Sequence, residues 1–387
     1  MGVKKQEKAK NRGNLFMLLC LMLTGAVCGV VVMAYIDDAF GNSLPVGEIL
    51  FHLAVAFIGM YIAIFLQIVM HESGHLIAGL LTGYTFSSFR FGNLMWVKDN
   101  ETIKFRKLSL TGTGGQCLMN PPDMVDGKIP FVFYNLGGSF MNLLTIPVCV
   151  VLFFLFSKVP FLSLFLLMMG IVGFAYALMN GIPMKLGMVN NDGCNTKDLG
   201  KSPKALKSFW VQMKVMEQTS KGVRLKDMPN EWFYLPDKDE MKNSMTAVMA
   251  VFYANKLMDE QIFTDAAALI DKLLAAESGI VGLHRNLLIC DRLFCELMNE
   301  KNSEVIDKLY SKEQMKFMKQ MRKFPSVIRT EYAYALLYKN DADKAAQIKE
   351  QFEKCAKAHP YASDIESERE LLEIADAAMQ HSVKNYL

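Results

Sequence analysis

The sequence predicts a mainly α protein. A four-span polytopic membrane domain carries a small cytoplasmic β-hairpin, and an all-α soluble domain of tetratricopeptide-like (TPR-like) character follows. Three observations predict this. Charge is unevenly placed: residues 1–200 hold 14 Lys/Arg and 11 Asp/Glu, whereas residues 201–387 hold 28 of each. Long stretches of the first half are almost free of charge. The second half repeats apolar residues at spacings of three and four, the helical period. With 52% apolar and 21% charged residues and a mean hydropathy of +0.18, the chain is too apolar for an ordinary soluble protein and too charged to lie wholly in a membrane. A net charge of only +3 excludes a nucleic-acid binder driven by bulk positive charge, and the apolar content excludes a disordered chain.

Residues 1–13 form a basic cytoplasmic N-terminus, with Lys4, Lys5, Lys8, Lys10 and Arg12. The charge-free run 14–36 follows, long enough for a bilayer core of ~30 Å. It ends in Tyr-Ile-Asp-Asp rather than a small-residue cleavage site, so it reads as a retained span. The next loop carries Asp37, Asp38 and Glu48 without Lys or Arg, which puts the N-terminus in the cytoplasm and this loop outside. Further spans are predicted at 49–82, 131–157 and 159–184, the last two joined by a tight hairpin at Ser157-Lys158. Four crossings leave both termini cytoplasmic. The compact size and absence of other targeting signals point to a bacterial plasma membrane.

The loop 83–130 is then cytoplasmic, and its six basic against four acidic residues agree. Phe89, Phe91, Leu94 and Trp96, then Ile103, Phe105, Leu108 and Leu110, flank Lys98-Asp99-Asn100-Glu101 in the rough alternation of a β-hairpin. Beyond residue 204 helices are predicted over 244–257, 262–275, 280–298, 328–338 and 343–357. The likeness of 251–260 to 333–342 suggests paired repeats, a plain bundle being the alternative. Such a domain offers a surface for a cytosolic protein partner. The eight cysteines contain no CxxC pair and read as reduced thiols. His284, His359 and His381 form no cluster. His52 is expected to snorkel at the outer interface.

The informative segment is His71-Glu72-Ser73-Gly74-His75. On a helix, residues i and i+4 share a face, so both imidazoles reach one ion, and Glu72 is placed to activate a bound water. An ionisable side chain in hydrocarbon costs about 2.5–3.5 kcal/mol on insertion scales. Three in one apolar helix therefore call for a site. Zinc hydrolases use three protein ligands. Asp192 and Asp198 both follow the fourth span on the cytoplasmic side. Asp192, in Asn190-Asn191-Asp192-Gly193, is the preferred third ligand because a turn there aims its carboxylate back at the helix.

On these residues the first half resembles the site-2 protease family of intramembrane zinc metalloproteases. The matching features are His-Glu-Ser-Gly-His at 71–75, Asn-Gly-Ile-Pro at 180–183, Asp192-Gly193, and a Gly-rich segment, 137–142, ending in Asn142. The resemblance spans about residues 49–200, two-fifths of the chain. It implies one Zn2+ per chain held by His71, His75 and Asp192, with Glu72 as general base. The substrate it implies is a membrane-spanning protein or peptide, locally unwound and paired with a hairpin edge near Gly114-Gly115. Asn142 is expected to donate a hydrogen bond to the substrate or to the developing oxyanion, or else to bond between helices. Asn180 and Asp192 lie twelve residues apart, a longer spacing than the family's commoner form, so 184–189 must loop out as irregular backbone. The rival expectations are a catalytically silent membrane scaffold, whose helical half recruits a cytosolic partner, and a transporter component, which the lack of further polar faces disfavours.

Overall fold

The computed structural model describes residues 2–40, 44–99, 102–107, 114–186, 188–299 and 301–384; for 2–10, 38–40, 99 and 381–384 it describes the backbone alone. In chain order the first elements are α1 (Gly2–Phe40), α2 (Val46–Leu81), β1 (Thr85–Phe91), β2 (Leu94–Asp99), β3 (Thr102–Lys107) and β4 (Gly115–Asn120). Next come α3 (Val132–Leu155), α4 (Pro160–Gly181), α5 (Asp192–Leu199) and α6 (Pro203–Ser220). The remainder is helical: α7 (Ser244–Asp259), α8 (Phe263–Ala275), α9 (Gly282–Met298), α10 (Ser303–Leu309), α11 (Lys312–Gln320), α12 (Pro325–Ala333), α13 (Ala342–Ala358) and α14 (Ala362–Lys384). The strands form a four-stranded sheet in the order β3-β2-β1-β4. The predicted fold class is thus observed: mainly helical, with long apolar helices first, a small antiparallel sheet, and an all-helical second half.

The chain divides into two compact units, residues 1–85, 114–119 and 130–197 in one and the rest in the other. In the first, four helices are long and apolar enough to cross a membrane: Asn11–Asp37 within α1, and α2, α3 and α4. Their most apolar windows are between 11% and 50% buried, α4 being innermost. Outward-facing Phe57, Ile58, Tyr61, Leu144, Val148 and Phe154 leave an apolar surface that suits hydrocarbon and not water. Helices in such a medium associate through close packing, which favours small residues at the contact. Gly74 of α2 and Gly137 of α3 show this. A Cβ on Gly74 would fall 2.2 Å from the Gly137 carbonyl oxygen, and one on Gly137 would fall 2.5 Å from that of Gly74. Helix α1 packs through Cys28, Val32 and Ile36 against Ala56, Leu164 and Met168. His52 is buried against Phe161, ring centroids 5.5 Å apart, rather than reaching for an interface.

In the second unit, β1, β2 and β3 form an antiparallel meander with Phe89 opposite Trp96 and Trp96 opposite Phe105. The sequence predicts one turn, at 98–101, of which 100 and 101 lie outside the described residues, as do Leu108 and Leu110 of the expected second arm. The structure adds a turn at Gly92-Asn93, where Gly92 takes φ +55°, a left-handed value that suits a two-residue hairpin loop. The arm predicted over 89–96 is therefore two strands. The sequence places this hairpin within 49–200; in the structure the described residues of 86–107 group with the helical half, where Tyr361 hydrogen-bonds Ser88.

The helical half is built around one large apolar cluster from α7, α8, α9, α12, α13 and α14, including Ala254, Ile270, Leu293, Ile328, Phe352 and Leu372. Its buried charges are paired, as burial demands. Arg224 holds Asp259 and Glu370, and Arg329 holds Asp291 and Glu368. The two similar segments end alike. Gln261 and Asn340 both adopt left-handed φ, and a new helix starts two residues after each.

Candidate metal centre

His71 and His75 lie one turn apart near the C-terminal end of α2, both buried. Each imidazole is tied at the far nitrogen. His71 Nδ1 donates to Asn142 Oδ1 at 2.7 Å, and His75 Nδ1 donates to the Tyr134 carbonyl at 2.8 Å. A carbonyl only accepts, so each Nδ1 carries a proton and both Nε2 atoms face inward. Their target is shared. His71 Nε2 lies 3.0 Å and His75 Nε2 3.4 Å from Asp192 Oδ2, and the two Nε2 atoms are 3.2 Å apart.

These three edges test whether the donors suit a metal. Bonds of about 2.0–2.1 Å in tetrahedral geometry set ligand atoms about 3.3 Å apart. The observed triangle of 3.0, 3.2 and 3.4 Å is that size. At such separations the two Nε2 atoms and the carboxylate share either a proton or a metal cation. Burial pushes the Asp192 carboxyl up, yet the adjacent imidazoles hold it well below the ordinary carboxylate range, so the charge is retained. Among the described residues this is the only such group of His, Cys, Asp or Glu. The Asp192 side chain keeps 23% of its surface exposed, which leaves the group open to solvent on one side.

The twelve-residue spacing to Asp192 is resolved by one side chain that sequence reasoning passed over. Asn191 Nδ2 donates to the Met179 and Ile182 carbonyls at 2.8 and 2.6 Å, and its Oδ1 accepts from the Met184 and Cys194 amides at 2.9 and 3.0 Å. It therefore caps α5 while clasping the end of α4. Lys185 and Asn190 pair as a β-bridge at the base of the excursion between them. The added length loops out and Asp192 returns to the helix end. Gly193 makes the approach possible, since a Cβ there would lie 2.1 Å from the Gly181 carbonyl oxygen.

Asp198, the alternative ligand, is engaged elsewhere. It is buried in the second unit, paired with Lys201 at 2.6 Å and accepting from Ser244 at 2.8 Å. Asn142 takes the interhelical role of the two open to it. It is fully buried, with Oδ1 on His71 and Nδ2 donating to the Gln67 carbonyl and to Gln67 Oε1 at 3.0 and 2.7 Å. No donor is left over for a substrate. Gln67 in turn donates to Thr145 and to the Met169 carbonyl, so α2, α3 and α4 converge behind His71. Gln67 was detectable as a lone amide one turn before His71 in an apolar run.

Glu72 is buried beside the triad. Gly115 of β4 makes room for it: a Cβ at Gly115 would meet Glu72 Oε1 at 2.4 Å. The neighbouring Cys117 thiol is pushed up by burial first and by the Glu72 charge second. Gly138 serves the imidazoles in the same way, because a Cβ there would lie 2.5–2.6 Å from His71 Cε1, His71 Nε2 and His75 Nε2. Compared with known proteins, the chain matches no family model, no curated protein and no solved structure.

Proposed function

We propose that the protein is a membrane-embedded zinc metalloendopeptidase that cuts a peptide bond in or near a transmembrane segment of its substrate. The observation that carries this reading is the triangle of His71 Nε2, His75 Nε2 and Asp192 Oδ2, sized for a tetrahedral ion, with both imidazoles on a helix apolar enough to cross a membrane. Two nitrogens and one carboxylate oxygen, with a fourth position left to water, form a donor set typical of hydrolytic zinc. The site lies shallow: Gly138 is six residues into α3, about 9 Å along its axis. The charge distribution favours cytoplasmic termini, and in that orientation a site at this depth is within reach of cytoplasmic water.

His71, His75 and Asp192 would hold the zinc, which would supply an activated water and polarise the scissile carbonyl. Asn142 and the Tyr134 carbonyl keep the imidazoles in register. Glu72 takes the proton from the attacking water and passes it to the leaving amine. The reading is tested by metal content. Detergent-purified protein should carry about one zinc per chain, and Asp192→Ala should lose most of it. A wild-type chain that stays metal-free after reconstitution would sink the reading.

A further inference from the structure

The hydroxyl of Ser139 has no function in the site described so far, and its environment is unusual. It is buried, with the residue 6% exposed, and has no hydrogen-bond partner among the described residues. Hydroxyls on apolar helices ordinarily return to the carbonyl four residues back. In this unit Thr24, Ser73, Thr82 and Ser163 all do so, at 2.7–3.0 Å. Ser139, in the same helical setting on α3, does not bond to the Asn135 carbonyl. Buried polar atoms left unmatched in this way are rare and costly.

Its position narrows what it serves. Ser139 directly follows Gly138, whose missing Cβ accommodates the Nε2 atoms of His71 and His75. Its Oγ lies 3.4 Å from where a Cβ on Gly181 would sit, and the Gly181 carbonyl abuts Gly193, next to Asp192. The hydroxyl thus stands at the seam between α3 and the end of α4, between Gly138, which packs against the imidazoles, and Gly181, which packs against Gly193.

We propose that Ser139 Oγ is the hydrogen-bond donor for an oxygen bound at the His71/His75/Asp192 centre, namely the scissile carbonyl as it gains negative charge. This rests on the metallopeptidase reading. A donor kept unpaired in the resting protein spends nothing on breaking a prior bond when that charge develops. No proton leaves Ser139 in this role; it donates a hydrogen bond and retains its hydrogen.

The test uses full-length protein in detergent, loaded with cobalt in place of zinc, with acetohydroxamate as the oxyanion-bearing probe. Binding is read from the visible absorption of the cobalt. Ser139→Ala should keep its metal, should melt no lower than wild type when metal-free, and should bind acetohydroxamate about 10- to 100-fold more weakly. Ser139→Thr, which keeps the hydroxyl, should restore most of that affinity. Metal-loaded Ser139→Ala with unchanged acetohydroxamate affinity overturns the assignment and leaves the metal centre standing. Metal-free Ser139→Ala that melts well below wild type also overturns it, because the hydroxyl then has a structural partner. A wild-type chain that takes up no metal overturns this assignment and the metallopeptidase reading together.

Discussion

Asn142 Oδ1 accepts from His71 Nδ1 at 2.7 Å, while the same side chain donates to both oxygens of Gln67. One amide therefore fixes the tautomer and the ring plane of a ligand and joins α2 to α3. Outer-shell partners of this kind typically contribute 10- to 100-fold in metal affinity. Asn142→Ala should weaken zinc binding by about that factor in a competition titration with a chelator. If affinity is unchanged, His71 is oriented by packing alone.

Two glycines make opposite predictions. Gly138→Ala places a methyl group on the inward nitrogens of both imidazoles, so metal binding should fall by at least about tenfold. Gly115→Ala instead displaces Glu72, so metal should be retained while turnover is lost. Gly25, with nothing within 4 Å of its Cβ position, is the control and should affect neither. Zinc content and peptide cleavage, measured on the three variants together, separate ligand geometry from base geometry.

Glu72→Gln preserves size but replaces the carboxylate base with a neutral amide. Zinc per chain should match wild type, and turnover should drop by about 10²- to 10⁴-fold. Intact turnover would move the proton transfer to another group.

Asn191→Ala removes four hydrogen bonds that hold α5 against α4. A stability loss of roughly 1–3 kcal/mol is expected, with weakened zinc binding because Asp192 is no longer presented. A variant that melts lower yet binds zinc normally would show that Gly193 packing alone places the carboxylate.

In the helical half, burial pushes the Asp259 carboxyl up, but hydrogen bonds from Arg224, Ser367 and the Lys226 amide outweigh it and hold the carboxyl below the ordinary carboxylate range. A depressed acid contributes stability that is present above its unfolded pKa and lost as pH falls through its lower folded value. Asp259→Asn should therefore destabilise at pH 7 by about 1–3 kcal/mol, because Arg224 loses one of its two close carboxylate partners and keeps Glu370. The gap from wild type should narrow below pH 4 in denaturant melts. A gap independent of pH would mean that shape rather than charge is lost.

The sequence by itself determined the elements whose cause is local. Charge-free runs of membrane length show the four apolar helices to within a few residues, because hydrophobicity summed over some twenty residues leaves no competing arrangement. His71, Glu72 and His75 were legible because helical periodicity alone puts the two imidazoles on one face. The tertiary structure decided what depends on distant chain segments. The turn residues around Asp192 favoured it over Asp198 from sequence, but the tertiary hydrogen bonds of Asn191, which fold the twelve-residue stretch back on itself, are what bring its carboxylate to the imidazoles. Gly92 was readable as a turn signal, yet an apolar pattern running across it hid a second hairpin. Asn142 was marked by the Gly-rich segment that it ends, whereas Ser139, three residues before it on the same helix, carried no signal of its own, and the hydrogen bonds of neither were legible. Only packing gave one a bond to His71 and left the other's hydroxyl unpaired, because hydrogen-bond satisfaction belongs to the assembled neighbours and not to the residue.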